Sequence, residues 1–179
     1  MKNANYLLTG LTLPNGSKSD ITISDGVITE IASNIIAAPG FTKVDLAGSI
    51  ALPGLVDLHT HLREPGKEDA ETVLSGTMAA AKGGFVAVSA MANTSPVAET
   101  AGVVEQVFAL GQSAGFADVF PIGAVTEGLK GENLAEIGAM ADSRARVRVF
   151  SDDGSCVFDP LVMRRALEYV KKFDGVIAQ

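Results

Sequence analysis

The chain has 179 residues, 47% hydrophobic, 20% charged and 6% aromatic, with a mean hydropathy of +0.27; this excludes a disordered polymer and describes one globular domain or a little more. A net charge of −7 and a pI near 4.8 argue against nucleic acid as a partner, whose footprint is a basic patch or stripe. No apolar run approaches the ~18 residues of a membrane span, no export signal opens the chain, and the single cysteine, Cys156, leaves no internal disulfide and makes the cytoplasm the default compartment.

In chain order, the first 50 residues read as short strands at Tyr6–Thr12, Asp20–Ser24, Val27–Ile31 and Lys43–Leu46, with Asp25-Gly26 as a two-residue hairpin signal and no helix. From Ile50 the pattern alternates. Leu55–His59 is a strand. Asp69–Lys82 has helical apolar spacing (Ala70, Val73, Leu74, Thr77, Met78, Ala81) closed by Gly83-Gly84, and Phe85–Met91 is an apolar strand. Ser95-Pro96 reads as an N-cap with proline at the first helical position, opening a helix with Val103, Val104, Val107 and Phe108 on one face and Gly111 after it. Val119–Val125 is a third strand, Asn133–Met140 a short helix and Val147–Phe150 a fourth strand. Asp159-Pro160 caps a helix with Leu161, Val162, Ala166, Leu167 and Val170 on its apolar face, and Val176–Ala178 is a fifth strand.

Repeated βα units with near-continuous apolar strands predict an α/β fold with a parallel sheet covered by helices. An open doubly wound sheet and a (β/α)₈ TIM barrel compete. No G-x-G-x-x-G motif opens a helix, which weakens the dinucleotide-binding version of the open sheet. Polar residues instead collect at predicted strand C-termini, where barrels place their chemistry. A complete barrel needs ~250 residues, so 179 allow only part of one.

The first such cluster is Asp57-Leu58-His59-Thr60-His61. On a regular strand the three polar side chains at i, i+2 and i+4 share one face, so two imidazoles could bind a divalent metal while the carboxylate fixes a tautomer. These are the chain's only two histidines. Phe150-Ser151-Asp152-Asp153-Gly154 ends the fourth strand and offers a carboxylate to the same mouth; taken alone, Asp-Asp-Gly is an ordinary loop opening, and the residues leave open which aspartate points inward. Arg63 and Asn93 lie just past strand ends. Each taken alone reads as a solvated loop residue, yet an inward arginine in so acidic a chain suits an anionic substrate.

Asp57-Leu58-His59-Thr60-His61-Leu62-Arg63-Glu64-Pro65-Gly66, Gly83-Gly84-Phe85, Asn93-Thr94-Ser95-Pro96-Val97 and Ser151-Asp152-Asp153-Gly154 together resemble the bacterial class I dihydroorotases of the amidohydrolase superfamily. The similarity runs from about Leu52 to the end. It implies a partial TIM barrel of about five strands over residues 52–179, preceded by the N-terminal part of a β-sandwich over residues 1–51. It further implies His59, His61 and Asp153 as ligands of one or two Zn²⁺ ions, and His61, Arg63 and Asn93 as substrate-binding residues, the last two holding the carboxylate of dihydroorotate. Dihydropyrimidinases and allantoinases place a carboxylated lysine on the fourth strand; here the nearest lysines are Lys130 and Lys171.

The implied reaction is the interconversion of N-carbamoyl-L-aspartate and L-dihydroorotate in pyrimidine biosynthesis. The family's general-base aspartate and its later histidine ligands find no counterpart in the 179 residues, so the chain reads as an N-terminal fragment, inactive by itself and prone to associate. Two alternatives stand beside this: another cyclic amidohydrolase (allantoinase or dihydropyrimidinase/hydantoinase-like), and an inactive dihydroorotase-like partner of aspartate transcarbamoylase. Expected partners are a small-molecule substrate, a second copy of the chain or that transcarbamoylase, and neither nucleic acid nor membrane.

Overall fold

Residues 1–53 and 54–179 form two units in the computed structural model, which describes residues 5–36 and 38–179. In the first, β1 (Tyr6–Thr12), β2 (Lys18–Ser24), β3 (Val27–Ala32) and β4 (Thr42–Asp45) make one sheet in the order β3-β2-β1-β4. Its pairings are antiparallel except β1 with β4, which is parallel. Asp25 and Gly26 both take positive φ, 51° and 79°, as a type I′ hairpin turn requires. A bulge in β1 lies between Leu8 and Leu11, and Asp20 Oδ1 accepts the Gly10 N–H within it at 2.9 Å. Leu7, Leu11 and Ile21 supply the buried apolar side chains.

In the second unit, strands and helices alternate as the sequence predicts. The order is β5 (Leu55–Thr60), α1 (Val73–Lys82), β6 (Phe85–Ala90), α2 (Ala101–Ala114), β7 (Asp118–Pro121), α3 (Ile137–Asp142), β8 (Val149–Phe150), α4 (Pro160–Val170) and β9 (Val176–Ile177). β5, β6 and β7 pair in parallel, as do β8 and β9, and a parallel bridge between Gly123 and Phe150 links the two groups. Five parallel strands therefore follow one another in chain order. One apolar cluster gathers around Phe150, Ile137, Met140, Val104 and Val125, and a second joins Val73, Val88, Val107, Val119 and Leu62. No helix among the described residues is long and apolar enough to cross a membrane.

Several element boundaries differ from the sequence reading, each because backbone groups find other partners. α1 begins at Val73 rather than Asp69, since Thr72 and Ser75 form a reciprocal capping box. α2 begins at Ala101, not at Pro96. Residues 95–98 are tied elsewhere: Ser95 N–H donates to the Pro65 carbonyl and Ala98 N–H to that of Ala92. Gly111 does not end α2, which runs on to Gly115 in the left-handed conformation (φ 68°). β7 stops at Pro121: the Ile122 N–H still bonds to Ala90 of β6, but Gly123 N–H turns to Val149 of β8, Ala124 N–H to the Ala98 carbonyl and Val125 N–H to Asp152 Oδ1. Val147 N–H bonds to the Met140 carbonyl at the end of α3, which shortens β8 to two residues. The Asp159-Pro160 cap is as expected, with Asp159 Oδ1 accepting the Leu161 N–H at 2.7 Å.

Helix faces are narrower than the sequence suggests. α1 buries Val73, Gly76 and Thr77 while Leu74 and Met78 are exposed, and α4 buries Val162, Ala166 and Val170 while Leu161 and Leu167 are exposed. Gly111 lies inside α2 because β7 crosses so close that a Cβ there would sit 2.5 Å from Val119 Cβ. Gly102, on the same helix, faces open space. Gly111→Ala should therefore destabilise by about 1–3 kcal/mol through overpacking, against the gain in helix propensity. Gly102→Ala should be neutral or stabilise by up to about 1 kcal/mol; urea unfolding of the two variants side by side checks the contrast.

Candidate metal centre

The site grows from a bulge. Between Asp57 and Thr60 β5 advances three residues while its partner β6 advances two, from Val88 to Ala90. The extra residue breaks the i, i+2, i+4 alternation: Asp57 and His61 line one cleft against α1, while His59 lines a cavity with Asp153. Asp57 lines a cleft with Gly76 and Ala79 of α1, and its Oδ1 accepts the His59 backbone N–H at 3.0 Å. It therefore holds the bulge and is not the carboxylate that sets a histidine tautomer.

His59 and His61 meet instead at Asp153, beyond the end of β8. His59 Nε2 lies 3.4 Å from Asp153 Oδ1, and His61 Nε2 lies 3.5 Å from Asp153 Oδ2. One donor atom from each of the three residues falls within 4.8 Å of the others. The two imidazole rings stand edge to face, with centroids 5.2 Å apart. Donors held 2.0–2.1 Å from a tetrahedral zinc ion stand roughly 3.3 Å from one another, close to both N···O separations. Lone pairs converge here at a spacing longer than a good hydrogen bond, so the donor set fits a divalent cation.

Asp152 and Asp153 are adjacent in sequence and opposite in environment. Asp152 is 2% exposed. Its Oδ1 accepts the Val125 and Thr126 N–H groups at 2.8 and 3.1 Å, and its Oδ2 accepts the Thr126 hydroxyl, which in turn accepts the Gly131 N–H at 2.9 Å. With both oxygens occupied, Asp152 staples the segment after β7 to the end of β8. Asp153, partly exposed, is left to face the histidines.

Asn93, past the end of β6, joins the cluster directly. Its Oδ1 lies 3.0 Å from His61 Nδ1, and its Nδ2 donates to Asp153 Oδ2 at 3.3 Å. The sequence reading assigned this residue to substrate and missed its contact with both metal-site residues; the clue available was that His61 needs some acceptor for its second ring nitrogen. Arg63 stays outside this network. It takes a left-handed φ of 64°, and its guanidinium has no hydrogen-bond or ion-pair partner among the described residues.

Its loop is nonetheless well held. Leu62 is buried, packing where Gly76 of α1 has no side chain, and Glu64 Oε2 accepts the Val73 N–H at the start of α1 at 2.8 Å. Gly66, at φ 101°, lies so close to Ser95 that a Cβ would sit 2.2 Å from the Ser95 carbonyl oxygen, and Ser95 N–H donates to the Pro65 carbonyl. Thus the loops carrying Arg63 and Asn93 are packed against each other. A cavity of about 510 Å³ is lined by Leu58, His59, Ser89, Met91, Ile122 and Asp153, among others.

Comparison with known proteins decides the family. The model of the dihydro-orotase-like family matches residues 48–179. The chain belongs to that family. Relatives named dihydroorotase include one from Leifsonia xyli subsp. xyli, 68% identical over all 179 residues, and one from Streptomyces coelicolor, 60% identical over 173 residues or 97% of this chain. The chain spans 41% and 40% of the length of those two relatives. Among solved structures, the L-hydantoinase (dihydropyrimidinase) from Arthrobacter aurescens superposes with a TM-score of 0.76 at 19% identity, over 97% of this chain and 40% of that one, a likeness of fold. Its match extends over both the strand-rich start and the βα repeats of this dihydro-orotase-like chain.

The two neighbouring aspartates make a direct test. Asp152→Ala strands two buried backbone N–H groups and should cost about 3 kcal/mol in urea unfolding of the metal-free protein. Asp153→Ala should change stability by less than about 0.5 kcal/mol in the same measurement.

Proposed function

We propose that the whole protein is a zinc-dependent dihydroorotase, a cyclic amide hydrolase that interconverts N-carbamoyl-L-aspartate and L-dihydroorotate in pyrimidine biosynthesis. The observation that carries this reading is 68% identity along the entire chain to a relative named dihydroorotase, with His59, His61 and Asp153 converging in space. The likeness to hydantoinases is one of fold and supports no change of substrate at 19% identity.

In this reading β5 to β9 are the first five strands of a (β/α)₈ barrel, and residues 1–51 contribute to a β-sandwich. The support is the parallel pairing in chain order and the placement of the polar cluster at strand C-termini. His59 and His61 through Nε2, and Asp153 through its carboxylate, would hold one or two Zn²⁺ ions. Zinc bound there supplies Lewis acidity for the scissile amide carbonyl and for water.

The chain's own residues do the rest. Arg63, whose guanidinium has no partner among the described residues, would grip the substrate carboxylate in a bidentate fashion, and the Asn93 N–H not given to Asp153 would donate to it as well. His61 would sit at the junction of metal and substrate. The packed 61–67 and 93–96 loops fix the spacing between the carboxylate anchors and the metal ligands, which sets where the amide bond lies.

In the whole protein, removal of metal by chelation should abolish conversion of dihydroorotate, and Zn²⁺ should restore it. Arg63→Ala should lower kcat/KM for dihydroorotate about 10- to 100-fold, the worth of one charge-assisted contact. A panel of dihydroorotate, hydantoin, dihydrouracil and allantoin checks the reading, and preference for any but the first would overturn it.

A further inference from the structure

A neutral imidazole carries its hydrogen on one nitrogen and a lone pair on the other, and only the lone-pair nitrogen can bind a metal. For His61 this choice is made by Asn93. The Asn93 Oδ1 is an acceptor without a hydrogen, and at 3.0 Å from His61 Nδ1 it can be satisfied only if Nδ1 bears the N–H. Nε2 is then left with its lone pair, on the side of the ring where Asp153 Oδ2 lies at 3.5 Å.

The amide could in principle be turned over, and the carboxylate prevents it. Asn93 Nδ2 stands 3.3 Å from Asp153 Oδ2. A flipped amide would set Oδ1 against that carboxylate oxygen, two acceptors facing, and would lose the donor now given to Asp153. Asp153 therefore fixes the Asn93 amide, and the amide fixes the His61 ring. The base of this relay is rigid: Ala92 is fully buried, its carbonyl accepts both the Thr94 and Ala98 N–H groups, and Ser95 N–H is held by Pro65.

We infer that Asn93 is a positioning residue for the metal centre: it sets the Nδ1–H tautomer of His61 and orients Asp153, so that ligands from two strands distant in sequence present lone pairs to the same cation. This rests on the reading of His59, His61 and Asp153 as metal ligands and adds to the substrate contact proposed for Asn93. One amide then serves both, with its second N–H left for substrate.

The test uses the whole protein, metal-free, with ¹⁵N-labelled histidine, at a pH where both imidazoles are neutral. The wild type should show His61 as the Nδ1–H tautomer, and Asn93→Leu a loss of that preference. Titration with Zn²⁺ against a competing chelator should show affinity lowered about 10- to 100-fold in Asn93→Leu, with an unchanged unfolding midpoint for the metal-free variant. If Asn93→Leu does not fold, the tautomer of the wild type decides. An Nε2–H tautomer in the wild type, or an unchanged tautomer or wild-type zinc affinity in a folded Asn93→Leu, would overturn the inference. Failure of the wild type to bind Zn²⁺ would overturn the metal reading instead, and the tautomer measurement in metal-free protein separates the two.

Discussion

A buried carboxylate needs hydrogen-bond donors on both oxygens, and at Asp152 that requirement organises the mouth of the second unit. The donors available are the amides of Val125 and Thr126 and the Thr126 hydroxyl, all from the segment that follows β7. Meeting the need closes that segment over the end of β8. It also decides the orientation of the next residue. With Asp152 turned into the core, Asp153 lies on the other side of the chain, opposite the histidines.

The same economy runs through the neighbouring loops. The parallel strands bring three chain segments to one end of the sheet, and each loop supplies what the next one lacks. Pro65 offers a carbonyl to Ser95, Gly66 leaves room for Ser95, Asn93 bridges His61 and Asp153, and Glu64 caps the amide that opens α1. Regular hydrogen bonding stops at the strand ends, and side-chain and loop contacts take over there. Rigidity at such a place keeps donor atoms converged without a rigid element beneath each one.

Much of this was legible in the residues. Alternation of strand and helix, the Asp25-Gly26 turn and the Asp159-Pro160 cap follow from local rules that act over a few positions, and they reappear in the structure. What misled was regularity assumed where the chain departs from it. Ser95-Pro96 carries a good helix-start signal, but the Ser95 and Ala98 amides are claimed by the Pro65 and Ala92 carbonyls, and α2 starts at Ala101. Gly111 reads as a stop, yet it is a glycine because β7 passes within contact of it. Asp57 reads as a partner of the histidine rings, and its carboxylate instead accepts the His59 backbone N–H beside the β5 bulge.

By itself the sequence determined the class of fold, the family and the residue types at the strand ends, because periodicity, caps and the His-x-His and Asp-Asp-Gly motifs are written over short spans. Only the tertiary structure decided which aspartate faces the histidines, that Asp57 bonds backbone and not an imidazole, and that Asn93 joins His61 to Asp153. Those outcomes depend on contacts between residues 26 to 94 positions apart, on an extra residue in one strand, and on which buried groups compete for the same donors. None of these is a property of any short stretch of chain.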